Sequence, residues 1–421
     1  MPNTDTKTPS PSKLVTSSAE TEPKKAFYSN EEKPTGLFST LPYYILIFLY
    51  AFVWYTIEKW HQPWLGSFVL FSFVPLLDVI LPEDWLNPTD KQTKKLADDV
   101  FFKFPLYAGV ITCWVYHYWV LNHLAQHDFG LFYTIGVLFI SGGLLAANFP
   151  VCHELFHKQE KFDRLLGGLA LVPLLYTHYF IEHQYGHHRH VATPSDGAYS
   201  KLGESVYDNV PRAIKRVFFS TWEIEKRRLL EIEECSTHWH PKNRMIWYVL
   251  GYPTFLALVY SKFGFCGMGL TMYLAFQAIV FLESINYVEH YALERKEIAP
   301  GEYEKVNITH SWNAPHRFSN YLLFKVQRHS DHHENGYKPY QTLASYDESP
   351  TLPNGYAFCV TLCFFPMFWF NTINPYVIKS RKGEKITAAE QANAKKWMNM
   401  FLGLVTTVFG LLMVLGFIFK P

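Results

Sequence analysis

The chain has 421 residues, 49% hydrophobic and 18% aromatic, with a formal net charge of only +1. So even a balance gives no electrostatic case for a nucleic-acid partner. Its six cysteines form no C-x2-C pair, so no thiolate metal ribbon is encoded and no disulfide framework is implied.

Residues 1–36 are rich in Ser, Thr, Pro, Lys and Glu and cannot bury a core, so a disordered polar tail is expected there. The tail lacks the short apolar stretch and small-residue cleavage site of a secretory signal, which leaves the first spanning segment as the targeting signal. Six apolar stretches follow: Ser39–Ile57, Leu65–Leu81, Phe104–Leu124, Phe129–Phe149, Met245–Tyr260 and Cys266–Tyr287. Each approaches the ~20 residues that cross a bilayer core. Short links pair them into three antiparallel hairpins. The expected fold is therefore all-α, a polytopic membrane protein of six transmembrane helices, with a membrane domain over residues 37–376.

Three further apolar stretches read differently. Leu165–Tyr179 contains Pro173 and fits a re-entrant or interfacial helix, and Tyr356–Phe370, interrupted by Pro366, fits an interfacial segment. Residues 377–421 combine a basic linker with Met398–Phe419, which is long enough for a seventh span. Cys359 and Cys363, one helical turn apart in an apolar run, read as packing residues.

Positive charge separates the two sides. Lys24, Lys25 and Lys33 precede the first span and Lys91, Lys94 and Lys95 follow the second, whereas the opposite links carry only Lys59 and Lys262. The Lys-rich side is the cytosolic one. The fourth and sixth expected spans end on it, and the long polar segment from about Phe180 to Arg244 lies there too.

Four histidine clusters converge on that side: His153-Glu-Leu-Phe-His157, Glu182-His183-Gln-Tyr-Gly-His187-His188, Glu289-His290, and His329-Ser-Asp-His332-His333. On a helix, i and i+4 imidazoles project from one face, and neutral imidazole suits iron, zinc or copper. His153 with His157 and His183 with His187 have this spacing, and Gly186 offers backbone freedom where ligands crowd. His290 alone would read as an interfacial residue, but Glu289 beside it can accept a ring N–H. Nine imidazoles exceed the needs of one metal; two ions with four or five each, and a position open for oxygen, is the economical count. Glu154, Glu182, Glu289 and Asp331 are then expected to anchor ligand rings, although a carboxylate could bind metal directly.

The remaining histidines are His61, His117, His123, His127, His178, His190, His238, His240, His310 and His316, and their spacing is scattered. His117, His123 and His127 lie toward the far membrane face and read as interfacial or hydrogen-bonded residues. His190 reads as a surface neighbour of the ligands.

The motifs His-Glu-Leu-Phe-His-Lys (153–158), Glu-His-Gln-Tyr-Gly-His-His (182–188), Asn-Tyr-Val-Glu-His-Tyr (286–291) and Gln-Arg-His-Ser-Asp-His-His (327–333) resemble the integral-membrane alkane 1-monooxygenase family, part of the histidine-rich desaturase and hydroxylase superfamily. The resemblance runs from about residue 40 to 376 and includes Val191-Ala-Thr-Pro-Ser-Asp196 and Leu352-Pro-Asn-Gly-Tyr356. Ala292 stands where that family usually has Gly, Val326 replaces a Leu, and Gln184 replaces an Asn.

The resemblance implies a non-haem di-iron site with His153, His157, His183, His187, His188, His290, His329, His332 and His333 as ligands. It also implies O2 and two electrons used to hydroxylate a terminal carbon to a primary alcohol. Electrons would come from a separate donor such as rubredoxin with its reductase. Arg212, Lys215, Arg216, Lys226, Arg227 and Arg228 could meet an acidic carrier or face lipid headgroups. Trp119, Phe139, Phe276 and Phe281 are candidates to line a hydrocarbon channel. A fatty-acyl desaturase or aryl-methyl hydroxylase with the same iron site is the alternative. A metal transporter would carry its ligands near the span midplanes rather than beyond their ends.

Overall fold

A computed structural model describes residues 33–420 apart from residue 127, so most of the expected tail and His127 lie outside the described residues. Among the described residues, five helices are long and apolar enough to cross a membrane: Leu37–Trp60, Pro63–Ile80, Leu131–Phe156, Arg244–His290 and Ala388–Ile418.

The first two helices form a tight hairpin. His61 closes the first helix in the left-handed conformation (φ 51°), and Pro63 opens the second at a position where a missing N–H costs nothing. The expected third span is a helix over Phe104–Gln126, 23 residues long, whose Tyr, Trp, His and Asn side chains make it less apolar than the others. The expected fifth and sixth spans are two helices within Arg244–His290, separated at Gly264, whose φ of 64° and ψ of −164° suit a residue without Cβ.

The candidate seventh span is the apolar portion of Ala388–Ile418, a helix that starts at a capping box in which Thr387 and Glu390 satisfy each other's backbone amides. It docks on the first hairpin through Phe409, stacked 5.4 Å from Phe71, and through Gln62, whose Nε2 donates to the Met413 carbonyl at 3.0 Å, and Phe409 also stacks 5.8 Å from Phe139 of Leu131–Phe156.

Lipid is as apolar as a leucine side chain, so interhelical packing and hydrogen bonds rather than transfer from water must hold these helices together. Two such bonds join the helices, the first buried and the second partly so. The Tyr50 hydroxyl donates to the Leu144 carbonyl at 2.8 Å, and Gln277 Nε2 donates to the Phe139 carbonyl at 2.8 Å.

The Leu165–Tyr179 stretch forms only the end of a ten-residue helix, Lys161–Ala170, followed by turns through a left-handed Leu175, and is too short to cross. Pro366 separates helices Tyr356–Cys363 and Pro366–Arg381, as a proline in an apolar run should. The polar segment holds a 28-residue helix, Val206–Glu233. A small antiparallel hairpin, Glu297–Ala299 with Glu302–Tyr303, turns at Gly301, and an isolated parallel bridge joins Asn313 to Thr351 in an otherwise helical chain.

Candidate metal centre

The four histidine clusters come together where Leu131–Phe156 and Arg244–His290 end. Their nine rings fall into two adjoining groups: His153, His157, His183, His188 and His332 in one, and His187, His290, His329 and His333 in the other. Rings of the two groups touch, with the His188 and His333 centroids 4.4 Å apart. Eight of the nine are buried and His188 is half-buried.

The division follows from local backbone. Residues His183–His187 form a π turn, so the His188 amide donates to the His183 carbonyl five residues back. The wider turn brings His183 and His188 together, with Nε2 atoms 3.2 Å apart, and sends His187 to the other group. The expected His183/His187 pairing is thereby corrected. In the short helix His329–Glu334 the i, i+4 pair holds: His329 and His333 share a group with Nε2 atoms 2.9 Å apart, and His332 faces the first group. Gly186 keeps a negative φ, so freedom of backbone is not its role; a Cβ there would come within 2.7 Å of Glu182 Oε1.

The donor set suits metal ions. Nε2 atoms face one another at 3.1 Å (His157–His183), 3.2 Å (His188–His332) and 3.1 Å (His290–His329). Nitrogens bound about 2.1 Å from a common centre at right angles lie about 3 Å apart, as these do. His153 Nε2 and His187 Nε2 are buried with no hydrogen-bond partner, a costly state unless a cation takes their lone pairs. Burial, reinforced by neighbouring imidazoles, holds His157, His183, His188, His329, His332 and His333 well below the usual histidine range, which keeps them neutral and able to ligate.

The ring anchors differ from expectation. Glu154 pairs with Lys158 at 2.6 Å and accepts from the Tyr340 amide, so it ties two segments together rather than orienting an imidazole. Asp331 likewise accepts from Lys338, Asn335, Tyr346 and the Ala344 amide. Glu182, fully enclosed, is pushed up to about 8 by burial and by the nearby Asp196 carboxylate. Of the four, Glu289 alone meets a ring nitrogen of the nine clustered histidines, with Oε2 3.4 Å from His329 Nε2.

Two anchors were not anticipated. Asp196 accepts from His187 Nδ1, with both oxygens at 3.0 Å. Burial opposes ionisation of both partners, but each favours the other's charged form, which raises His187 and lowers Asp196. Tyr179 contacts His183 Nδ1 at 3.1 Å and donates to Asn286 Oδ1 at 3.2 Å. Asn286 Nδ2 in turn donates to Glu283 Oε2 at 3.0 Å, and the Tyr176 hydroxyl donates to Glu283 Oε1 at 2.7 Å. Because the tyrosine proton goes to Asn286, His183 must carry its own proton on Nδ1, leaving Nε2 bare toward the group.

Among the described residues, no other histidine ring joins either group. His178 bonds the Tyr252 hydroxyl, His123 bonds that of Tyr133, His310 pairs with Glu304, and His117 is buried beside Phe255. Ala292 adopts a φ of 57°, the left-handed conformation for which glycine is better suited. Gln184 reaches the Phe156 carbonyl and so links two clusters.

Of the channel candidates, Phe139 and Phe281 ring Phe71 at 5.2 and 5.9 Å, Trp119 donates to Glu58, and Phe276 is 63% exposed on the outer surface. A cavity of about 950 Å³ opens behind Trp312, but Asp78, Glu83, Asp347, Lys379 and Lys395 in its wall are no berth for a hydrocarbon.

Residues 129–362 match the fatty acid desaturase family. The chain is 34% identical over 334 residues to alkane 1-monooxygenase 2 of Pseudomonas aeruginosa, covering 77% of this chain and 86% of the relative. It is 35% identical over 327 residues to alkane 1-monooxygenase 2 of Alcanivorax borkumensis (76% and 84%) and 36% identical over 334 residues to the alkane 1-monooxygenase of Acinetobacter baylyi (77% and 79%).

Proposed function

This chain belongs to the alkane 1-monooxygenases and to the wider fatty acid desaturase family, and from that membership we propose that it is a membrane hydroxylase with a pair of iron ions held by its nine clustered histidines. The proposed reaction takes a linear alkane or alkyl chain, O2, two electrons and two protons to a primary alcohol and water. The observation that carries the reading is the division of nine imidazoles into adjoining groups of five and four.

Iron, when bound, supplies the redox chemistry that activates O2 for insertion into a C–H bond. The protein supplies the rest. Its imidazoles would hold the ions through Nε2; Asp196 and Tyr179 fix the tautomers of His187 and His183; and the buried Phe149 ring, 5.8 Å from that of His153, helps exclude water. A hydrocarbon concentrates in the bilayer, so a centre at the ends of spanning helices meets its substrate without drawing it through water.

Lysines before the first helix and after the second support a cytosolic site. Electrons then arrive there from a separate carrier such as rubredoxin. Arg212, Arg216 and Arg228 already bond backbone carbonyls or neighbouring carboxylates. Lys215 and Arg227, both exposed, are the better contacts for an acidic carrier.

The test is metal quantification on purified protein, followed by gas-chromatographic analysis of octane and hexadecane oxidation with a reconstituted donor. Two irons per chain and a 1-alkanol product are expected. Zinc alone, or an acyl double bond as the only product, would overturn the reading.

A further inference from the structure

The two histidine groups are unequal, and the smaller has an acidic neighbour whose bonding is incomplete. Glu289 is 2% exposed, its Oε2 lies 3.4 Å from His329 Nε2, and its Oε1 is buried with no hydrogen-bond partner. The same His329 Nε2 has His290 Nε2 at 3.1 Å and His333 Nε2 at 2.9 Å. These are the nitrogens that converge on one centre, so the carboxylate lies on the metal side of the ring and not at its outer nitrogen.

We propose that Glu289 is itself a ligand, donating a carboxylate oxygen to the ion held by His187, His290, His329 and His333. The inference rests on the di-iron reading above and refines it: one ion takes five imidazoles, the other four imidazoles and a carboxylate.

Three physical points carry it. A buried carboxylate oxygen without a donor is costly, and no protein group near Glu289 Oε1 repays that cost, whereas a cation would. Four neutral imidazoles leave the full charge of a divalent ion uncompensated in an apolar site, and one carboxylate cancels half of it. The other acidic candidates are committed elsewhere: Glu154 to Lys158, Asp331 to Lys338 and Ala344, Asp196 to the outer nitrogen of His187. The consequence is two unlike ions, because an anionic oxygen donor stabilises the oxidised state of its metal relative to an all-imidazole set.

The experiment compares wild type with Glu289→Gln, Glu289→Ala, Glu289→Asp, His187→Ala and His183→Ala, all as full-length protein in detergent. Iron per chain and Mössbauer spectra of isotopically enriched samples are recorded. Wild type should show two subspectra. Glu289→Ala should alter or empty the same subspectrum as His187→Ala, with a 10- to 100-fold weaker hold on that iron, and leave untouched the one altered by His183→Ala. Glu289→Asp should recover part of the wild-type signal. Should Glu289→Ala not fold, the isosteric Glu289→Gln carries the same comparison. Unchanged iron content and unchanged spectra in the folded variants would overturn the proposal. A wild type that holds zinc alone would instead defeat the redox reading, and zinc content across the same variants would still decide the ligand question.

Discussion

Asp196 holds His187 from nine residues away, with both carboxylate oxygens 3.0 Å from Nδ1. The contact fixes which nitrogen of His187 is bare, and it does so from a turn rather than a helix. Asp196 is itself pinned by the Ala198 amide at 3.0 Å. Replacing Asp196 with Asn keeps the shape and removes the charge that makes the imidazole a stronger donor. Loss of such a partner weakens metal affinity or activity roughly 10- to 100-fold. We expect Asp196→Asn to release iron at lower chelator concentration than wild type, read as iron per chain along a chelator titration; identical release curves would remove Asp196 from the site.

The contrast between Asp196 and the anchors expected from sequence shows what was legible. The nine histidines stand out because H-x3-H and H-x2-H-H spacing is hard to explain otherwise, and all nine converge. Their partition was not legible, since it depends on a π turn at His183–His187 that helical periodicity does not predict. Neighbouring acids in sequence were the natural guess for anchors, yet Glu154 and Asp331 turn to Lys158 and Lys338. Glu283 did leave a signal: it is an acidic residue inside the apolar stretch Cys266–Tyr287, where an ionisable group needs a reason. The break between the fifth and sixth spans was legible, because Gly264, in a non-helical conformation, falls in the gap between the apolar stretches Met245–Tyr260 and Cys266–Tyr287.

Glu283 reaches His183 only through Asn286 and Tyr179, so the effects of breaking that chain should not add. Tyr179→Phe removes the hydroxyl that bonds His183 Nδ1 at 3.1 Å, and Glu283→Gln keeps the packing but replaces with an amide the carboxyl that accepts from Asn286 and Tyr176. Tyr179→Phe should cost more, about tenfold in activity, and Glu283→Gln less. In a double-mutant cycle Tyr179→Phe/Glu283→Gln should be no worse than Tyr179→Phe alone. Additive losses in iron retention and turnover would mean that Glu283 acts by another route.

Arg328, fully buried, adjoins His329 and fastens the histidine helix to the loop after the second span. Its guanidinium donates to Asn87 Oδ1 at 2.9 Å, to the Leu343 carbonyl at 2.7 Å and to the Asp84 carbonyl at 2.8 Å, and pairs with the Asp84 carboxylate at 3.1 Å. A lysine ammonium cannot reach that spread of acceptors from one point. Arg328→Lys should therefore destabilise by on the order of 2–4 kcal/mol, because buried acceptors lose their donor. Thermal unfolding in detergent measures it, and a melting temperature equal to wild type would show that the loop does not depend on this residue.

Glu225 links the amphipathic helix Val206–Glu233 to the start of Arg244–His290. It accepts from Arg228 Nη2 at 2.8 Å, from Arg244 Nη2 at 2.6 Å and from the Arg244 amide at 2.8 Å. Burial works against its charge, but hydrogen bonds from the two arginines win and hold it at about 2, below the usual 4.5. A depressed carboxylate adds stability above its unfolded value and loses it as pH falls through the folded one. The contribution should thus be complete above about pH 4.5 and fade toward pH 2. Allowing for arginine side chains about a third exposed, Glu225→Gln should cost on the order of 2–3 kcal/mol near neutral pH. Melting curves of wild type and Glu225→Gln should accordingly converge on acidification, and a gap that stays constant from neutral pH downward would show that the charge at Glu225 is not what joins the two helices.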